Sequence, residues 1–338
     1  MFGWGRSKGL VGLDIGSSSV KAIELRKKGG KYEVLNLAVE DLHPERVAEE
    51  PIRDRSPLAE AIDQIFAKNH IQTNEVATAV SGHSVIVKKI AVTGSSPEEL
   101  REAIAYEAEQ NIQLDLNEVK WDYEVLGPAA SGRNAFDVML AAVKREKILN
   151  HTAVLKQAGK TPVIIDIDAF ALQNAWEMSY EPPPEEVAAL LDIGANVTTI
   201  NIVRAGTPLF TRHVSIGGQH SADALETALA HEAGQVSPDT RMKCLRATAE
   251  IILLEIQKTF DFFRETSAEG VHHVYVAGGF VTVSGMADIL KDELRIPTEI
   301  MDPFRRVTFN GPKLSVDRIG ELAPRMGVAM GLALRSFD

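Results

Sequence analysis

The residues best suited to chemistry in this chain are two aspartates set the same way in two copies of one tetrapeptide. Residues 13–16 and 191–194 both read LDIG, 178 positions apart, so Asp14 and Asp192 each stand two residues ahead of a glycine, Gly16 and Gly194. In both places an apolar run leads in, small or polar residues follow, and a β-rich run leads out, VKAIEL in the first copy and TTINIV in the second. That is the pattern of a β-hairpin carrying an acid at its tip. A lone D-x-G is ordinarily only a turn, but two copies heading matching segments weigh for a site. An acid beside a glycine turn, presented twice, suits a ligand that carries phosphates and a divalent cation. Backbone N–H groups approach phosphate oxygens where no side chain intervenes, and the hydroxyls of Ser17, Ser18 and Ser19 add donors. The carboxylates of Asp14 and Asp192 would hold a hydrated Mg²⁺, which keeps several waters and needs only one or two acids. Lys21, seven residues after Asp14, either neutralises phosphate as a point charge or is a solvated strand lysine on the face of Ile23 and Leu25. A third element, VYVAGGF, ends an apolar strand on Gly278 and Gly279 and would let a base or ribose lie against backbone. Asp166 and Asp168, in IIDIDAF, either cap the next helix or position an attacking water.

Something must hold these groups face to face. From Gly9 to about Leu42 the chain reads as a three-strand meander, LVGLDIG, VKAIELRK and YEVLNLAVEDL. A helix SPLAEAIDQIFAKNH follows, with Ser56 at its N-cap and Pro57 at its first position, and then a strand EVATAVSG. The second half starts the pattern over with the strands VAALLDIG, VTTINIVRAG and PLFTRHVSIGG, helices across 221–233 and 240–266, and a strand VHHVYVAGG. It closes on a helix over 285–294, a short strand TEIMD and one last helix in SVDRIGELAPRMGVAMGLAL. The halves are therefore expected to be structural repeats whose similar sheets bring the two hairpin tips to opposite sides of one cleft. Residues 83–160 break the alternation with a strand, a helix, two strands and a helix, and are expected as an inserted subdomain. Its first helix is marked by Ser96 as cap, Pro97 at the first position and Glu99 closing a capping box.

Taken together, LDIGSSSVKAIEL, LDIGANVTTINIV and VYVAGGFVTVSGM resemble the two phosphate motifs and the adenosine motif of the actin-like ATPase superfamily. Over nearly its whole length the chain is similar to the pilus-assembly family of PilM, kin of the division protein FtsA. The resemblance implies an α/β fold, actin-like and of two domains with mixed sheets, each a copy of a duplicated ribonuclease H-like unit, with an inserted strand–helix–strand–strand subdomain. Its implied boundaries are 9–82, 161–186 and 318–338 for the first domain, 83–160 for the inserted, partner-binding subdomain and 187–317 for the second domain. The implied cofactors are ATP and Mg²⁺, held by Asp14, Gly16, Ser17, Ser18, Ser19, Lys21, Asp192, Gly194, Asn196, Gly278 and Gly279, with Asp14 and Asp192 at the metal. Lys243 is implied beside the adenosine, although Thr240 stands where the family's glutamate would be and Phe280 where a third small residue is common. Asp166 and Asp168 take the candidate catalytic places, with hydrolysis weak or absent. DAFALQNAWEM and ELAPRMGVAMGLAL are similar to the family's two connecting helices. Their small residues, Ala171 and Ala175 on one and Ala323, Gly327 and Gly331 on the other, would let them cross closely at a hinge. The implied partner is a PilN-like inner-membrane pilus protein, whose cytoplasmic N-terminal segment docks between the insertion and the first domain.

The bulk numbers agree with that reading and exclude others. A length of 338 residues fits roughly two domains, and 45% hydrophobic with 25% charged residues is ordinary globular composition. A net charge of −11 weighs against nucleic acid as the main partner. The single cysteine, Cys244, leaves no disulfide framework and points to a reducing compartment and a packing role. His272 and His273 have no ligand-spaced partner and are expected to pack in a strand. The N-terminus lacks a signal-peptide pattern and no run is apolar enough to span a membrane, so a cytoplasmic place beside the inner membrane is expected. The FtsA-like reading expects a membrane-targeting amphipathic helix after the last core helix, where this sequence reads GLALRSFD. A small-molecule kinase of the same fold would need a dedicated base and a substrate pocket, whereas the extra sequence lies in an insertion suited to a protein partner.

Overall fold

A computed structural model describes residues 9–42, 56–112, 114–129, 132, 134–231, 237–309 and 316–337. The first half opens with the meander β1 (Val11–Ile15), β2 (Ser19–Lys28) and β3 (Lys31–Asp41). The helix α1 (Ser56–Lys68) and β4 (Glu75–Val80) follow. The insertion holds β5 (Val85–Thr93), α2 (Pro97–Asn111), β6 (Val119–Pro128) and β7 (Ala135–Lys144), after which α3 (Arg145–Gln157), β8 (Thr161–Ile167) and α4 (Asp168–Tyr180) complete the half. The second half runs β9 (Ala188–Ile193), β10 (Thr198–Arg204), β11 (Thr207–Val214), α5 (Gln219–His231), α6 (Pro238–Ser267), β12 (His273–Ala277), α7 (Met286–Leu294) and β13 (Thr298–Ile300). The chain then returns through β14 (Val307–Phe309), α8 (Val316–Leu322) and α9 (Gly327–Leu334).

The repeat expected from the two LDIG segments holds at the level of topology. The first sheet is ordered β14-β3-β2-β1-β4-β8 and the second β11-β10-β9-β12-β13, so β3-β2-β1-β4-β8 is matched strand for strand. In both sheets the meander pairs antiparallel and the two later strands pair parallel. The inner strands are apolar on both faces because both faces are covered. In the first sheet Val11, Leu13, Val20 and Ala22 meet Ile62 and Ile65 of α1, while Ile23, Leu25 and Ala77 meet α4 and α9. Leu190, Tyr275 and Ala277 of the second sheet join that same cluster, so the pair α4 and α9 is packed between the two sheets.

The close crossing expected at the small residues is real, and Gly331 is where backbone meets backbone. A Cβ built there would lie 1.6 Å from the Ala171 carbonyl oxygen. Gly12 admits α9 over β1 in the same way, since a Cβ there would lie 2.2 Å from the Ala329 oxygen. The single last helix expected over 315–334 is instead two, parted by a 3₁₀ turn at Ala323–Arg325. Pro324 lacks an amide hydrogen and cannot sit inside a straight helix; its carbonyl accepts from Gly278 N at 2.7 Å. β14 falls inside the span expected for the second domain yet pairs parallel with β3 of the first sheet.

In the insertion β5, β7 and β6 form an antiparallel sheet with β7 in the middle. One face holds α2 through Val92, Ile104, Ala108, Val138 and Leu140. Ser96 caps α2 by accepting from Glu99 N at 3.2 Å, while the Glu99 carboxylate accepts from Ser95 N at 3.0 Å, one residue earlier than in a capping box. Helix α3, read from sequence as part of 83–160, sends Val154 and Leu155 into the core beneath β1 and α1. His273 stacks on Tyr275 at 4.4 Å within β12, as expected, whereas His272 lies exposed just before the strand, its Nδ1 accepting from Val187 N.

Candidate functional site

The two hairpin tips are built alike. Gly16 N donates to Ser19 O and Gly194 N donates to Val197 O, both at 3.0 Å, which closes equivalent turns and leaves the flanking amides at the tips. Asp14 pairs across β1 and β2 with Lys21, and Asp192 pairs across β9 and β10 with Thr199, so the residue seven after each aspartate is its cross-strand neighbour. Side chains directly opposite in an antiparallel pair share a face, which is why both couples point the same way. Lys21 Nζ lies 2.7 Å from Asp14 Oδ2, and both side chains are largely buried. Lys21 is therefore no solvated strand lysine.

Both tips line one cleft of about 730 Å³. Asp14, Gly16, Ser17, Ser18, Ser19, Lys21, Asp168, Asp192, Gly194, Asn196, Gly278 and Gly279 all border it. Two expected site residues do not. Asp166 is buried, with its carboxylate 3.1 Å from Arg335 Nε and accepting from Ile167 N. The two aspartates part because β8 ends at Ile167 and α4 begins at Asp168, so strand alternation no longer sets their direction. Lys243 sits exposed on α6, outside the cleft lining.

Sequence reasoning missed Thr199, which donates to Asp168 Oδ2 at 3.2 Å and lies 3.1 Å from His213 Nδ1. The signal was available in the register: Thr199 is to Asp192 what Lys21 is to Asp14. The preceding Thr198 instead donates to the Ile216 carbonyl and holds the strand end. Also unforeseen were Arg325, His83, Lys147 and His151 on the cleft wall. His83 Nε2 lies 2.5 Å from Ser215 Oγ and ties the first half to the second at the cleft rim.

Three partly buried carboxylates crowd this space. Burial first, and then the charge of Asp14, push the Asp192 carboxyl up to about 6, with Lys21 opposing. Burial, followed by the charge of Asp192, pushes Asp168 up to about 8, against the amide of Ala169 and the hydroxyl of Thr199. Burial holds His213 down at about 4, helped by His83 and Lys147. Such a cluster favours a bound cation, which would relieve the mutual repulsion. Among the described residues no group of three or more His, Cys, Asp or Glu is arranged to hold a metal alone. One or two acids completed by waters and phosphate oxygens is the way Mg²⁺ is ordinarily held.

The two glycines that follow β12 divide their work. Gly278 has φ +102°, and a Cβ there would lie 2.4 Å from the Ile193 oxygen and 2.6 Å from Asp192 Oδ1, so it lets β12 close against the second tip. A Cβ on Gly279 would meet nothing within 4 Å, so the space beside it is open to a ligand. Phe280 follows, buried, packed so tightly on Gly218 that a Cβ on Gly218 would lie 2.5 Å from its ring.

Duplicated sheets, matched acid-tipped hairpins on one cleft and a helix pair crossing between the sheets define a two-domain actin-like fold. A solved structure titled "PilM-PilN type IV pilus biogenesis complex" superimposes with a TM-score of 0.85 at 27% identity, over 97% of this chain and 98% of that one. The ethanolamine utilization protein EutJ from Carboxydothermus hydrogenoformans shares the fold, with a TM-score of 0.54 at 16% identity over 96% of this chain and 89% of that one. The sequence model of the family described as type IV pilus assembly protein PilM matches residues 12–337. The chain belongs to that family. No helix among the described residues is long and apolar enough to cross a membrane.

Proposed function

We propose that this chain binds Mg·ATP in the cleft and serves as a cytoplasmic adaptor of type IV pilus assembly, docking the N-terminal segment of a PilN-like inner-membrane protein. The observation that carries the nucleotide half is the pair of equivalent tips, Asp14 with Gly16 and Asp192 with Gly194, opening on one cleft beside the unfilled space at Gly279. Asp14 and Asp192 would hold the hydrated Mg²⁺, which supplies positive charge against the phosphates. Lys21, now bound to Asp14, is close enough to the tip to exchange that carboxylate for a phosphate oxygen. Amides and hydroxyls of residues 16–19 and amides of 194–196 supply donors, and Gly279 with Phe280 would border the nucleoside. Asp168 is the acid proposed to orient water, braced by Thr199. In the nucleotide-free protein a carboxyl held near 8 stays protonated at neutrality and is a poor base, which favours binding over rapid hydrolysis.

The partner half rests on the solved PilM-PilN complex and on the junction between the insertion and the first half. β8 ends the first sheet with no strand on its outer edge among the described residues. Val163 on β8 and Leu149 on the packed neighbour α3 are exposed apolar side chains. An extended segment adding to such an edge gains backbone hydrogen bonds and reads alternate apolar positions. We assign this docking role to the unit over 83–144 and its junction with β8. Calorimetry tests both halves: Asp14→Ala and Asp192→Ala should lose Mg·ATP binding and keep the peptide, while Val163→Asp should do the reverse. Wild-type nucleotide affinity in both folded aspartate variants would overturn the cleft assignment.

A further inference from the structure

Lys243 stands outside the cleft, and its surroundings point elsewhere. Helix α6 is about 45 Å long, from 30 residues at 1.5 Å each. Its inner face is core, through Leu245, Ala249, Ile252, Ile256 and Phe263. Its outer face should be polar on a solvated helix, but Ile251, Leu254 and Phe262 are 44%, 50% and 51% exposed. These three fall on one line with Cys244, Ala247 and Lys258, at steps of three, four, three, four and four residues. Scattered exposed apolar residues are normal, whereas a run at steps of three and four is the spacing of a seam that receives another helix. Beside Leu254, α6 and α7 border a groove of about 350 Å³ whose wall includes Leu253 and Ile289.

We infer that this face of α6 pairs antiparallel with α6 of a second copy of the chain. Charge selects the occupant and its direction. Residues 238–252 carry three cations and two anions, Arg241, Lys243 and Arg246 against Asp239 and Glu250, while residues 253–267 carry three anions and two cations. Antiparallel pairing sets the cationic end of each helix on the anionic end of the other, and parallel pairing would set like on like. With the two-fold axis between Ile251 and Leu254, Ile251 of one copy meets Leu254 of the other. Lys258, held at 2.6 Å by Glu255, then lays its stem over the small Ala247, and Lys243 reaches Asp261 and the Phe262 ring. Each contact occurs twice by symmetry.

Sedimentation equilibrium of the full chain tests this. The wild type should associate to a dimer in the micromolar range, and Leu254→Glu should raise the dissociation constant by roughly 100-fold or more, since it buries two unpaired charges at the axis. Lys243→Asp and Asp261→Lys should each weaken the dimer by about 5- to 20-fold, and the double variant should recover most of that. Circular dichroism confirms that each variant is folded, these positions being exposed. A wild type monomeric up to about 100 µM overturns the inference, as does a dimer indifferent to Leu254→Glu. Absence of recovery in the double charge exchange overturns the antiparallel register, and a seam that binds a different protein while the chain stays monomeric overturns the choice of occupant.

Discussion

The most discriminating prediction concerns Asp168, whose position serves the proposed site and should cost the empty protein stability. An ordinary carboxyl titrates near 3.8, and here burial and the neighbouring acids raise it to about 8. A raised carboxyl pKa means the unfolded chain releases its proton first. The folded state is therefore progressively disfavoured as pH climbs from about 4 to about 8, and the cost is constant above that. At 1.36 kcal/mol per unit of pKa, the full span gives a cost on the order of 5 kcal/mol, most of it already present at pH 7. Asp168→Asn should remove it. The amide is nearly isosteric with the protonated acid, accepting from Ala169 N and donating to Thr199 Oγ1 in place of the present bonds. Urea melts of wild type and variant without nucleotide should therefore coincide near pH 4 and diverge steadily to about pH 8, the variant being the more stable by several kcal/mol. A constant difference across that range, or a variant less stable at pH 8, would refute the reasoning. The same substitution should leave Mg·ATP binding within about tenfold, because Asp168 is not proposed to touch the metal.

Other substitutions separate the site from its scaffold. Gly279→Val should keep the melting temperature within a few degrees and weaken Mg·ATP binding by more than about tenfold, since its side chain enters open cleft, whereas Gly278→Ala should lower the melting temperature through its positive φ and its clash with Ile193. Lys21→Met should destabilise the nucleotide-free protein, because it leaves the largely buried Asp14 unpaired, and should weaken ATP binding in a fluorescence titration by roughly 10- to 100-fold. Gly331→Ala should fail to give folded protein by circular dichroism, its Cβ meeting the backbone of Ala171, while Gly327→Ala meets only the end of Leu172 and should fold. On that Gly327→Ala variant, calorimetry of the PilN-like segment with and without Mg·ATP should give a smaller ratio of affinities than the roughly 5- to 150-fold expected of wild type; equal ratios would remove the helix crossing from the coupling.

The parts of the molecule that depend on short-range pattern were legible in the sequence. Two LDIG hairpins, the strand and helix order and the cap at Ser96 follow from apolar periodicity and from the few residues that tolerate turns and helix starts. What escaped depends on contacts far apart in sequence. β14 is three residues long and is a strand only because β3 offers an edge to it, some 270 positions earlier. The break at Pro324 was written in the residue itself, yet the apolar spacing on both sides continued and masked it. Asp166 and Asp168 differ in fate because a strand ends between them, and boundaries are the least certain feature of any pattern. Lys243 went astray for a related reason: a 30-residue helix has sides facing the core and sides facing away, and spacing alone does not say where a cleft lies around it.

The position of β8 gives the proposed coupling a physical route. Its outer edge is the open margin of the first sheet, and three residues beyond exposed Val163 the strand reaches Asp166, tied to Arg335 after α9. Two residues further stands Asp168 on the cleft wall, as the first residue of α4. A segment that straightened or shifted β8 would therefore move the start of α4, and α4 cannot slide freely because Gly331 of α9 rests on the Ala171 backbone. The second sheet is fastened to α4 and to the turn that leads into α9, since Asn201 of β10 donates to Ala169 O and Gly278 N donates to Pro324 O. Packed interfaces of this kind change between discrete arrangements more readily than they deform. A ligand bridging the two tips and a peptide on β8 would thus bias one helix crossing, and each would alter the other's affinity by the same factor.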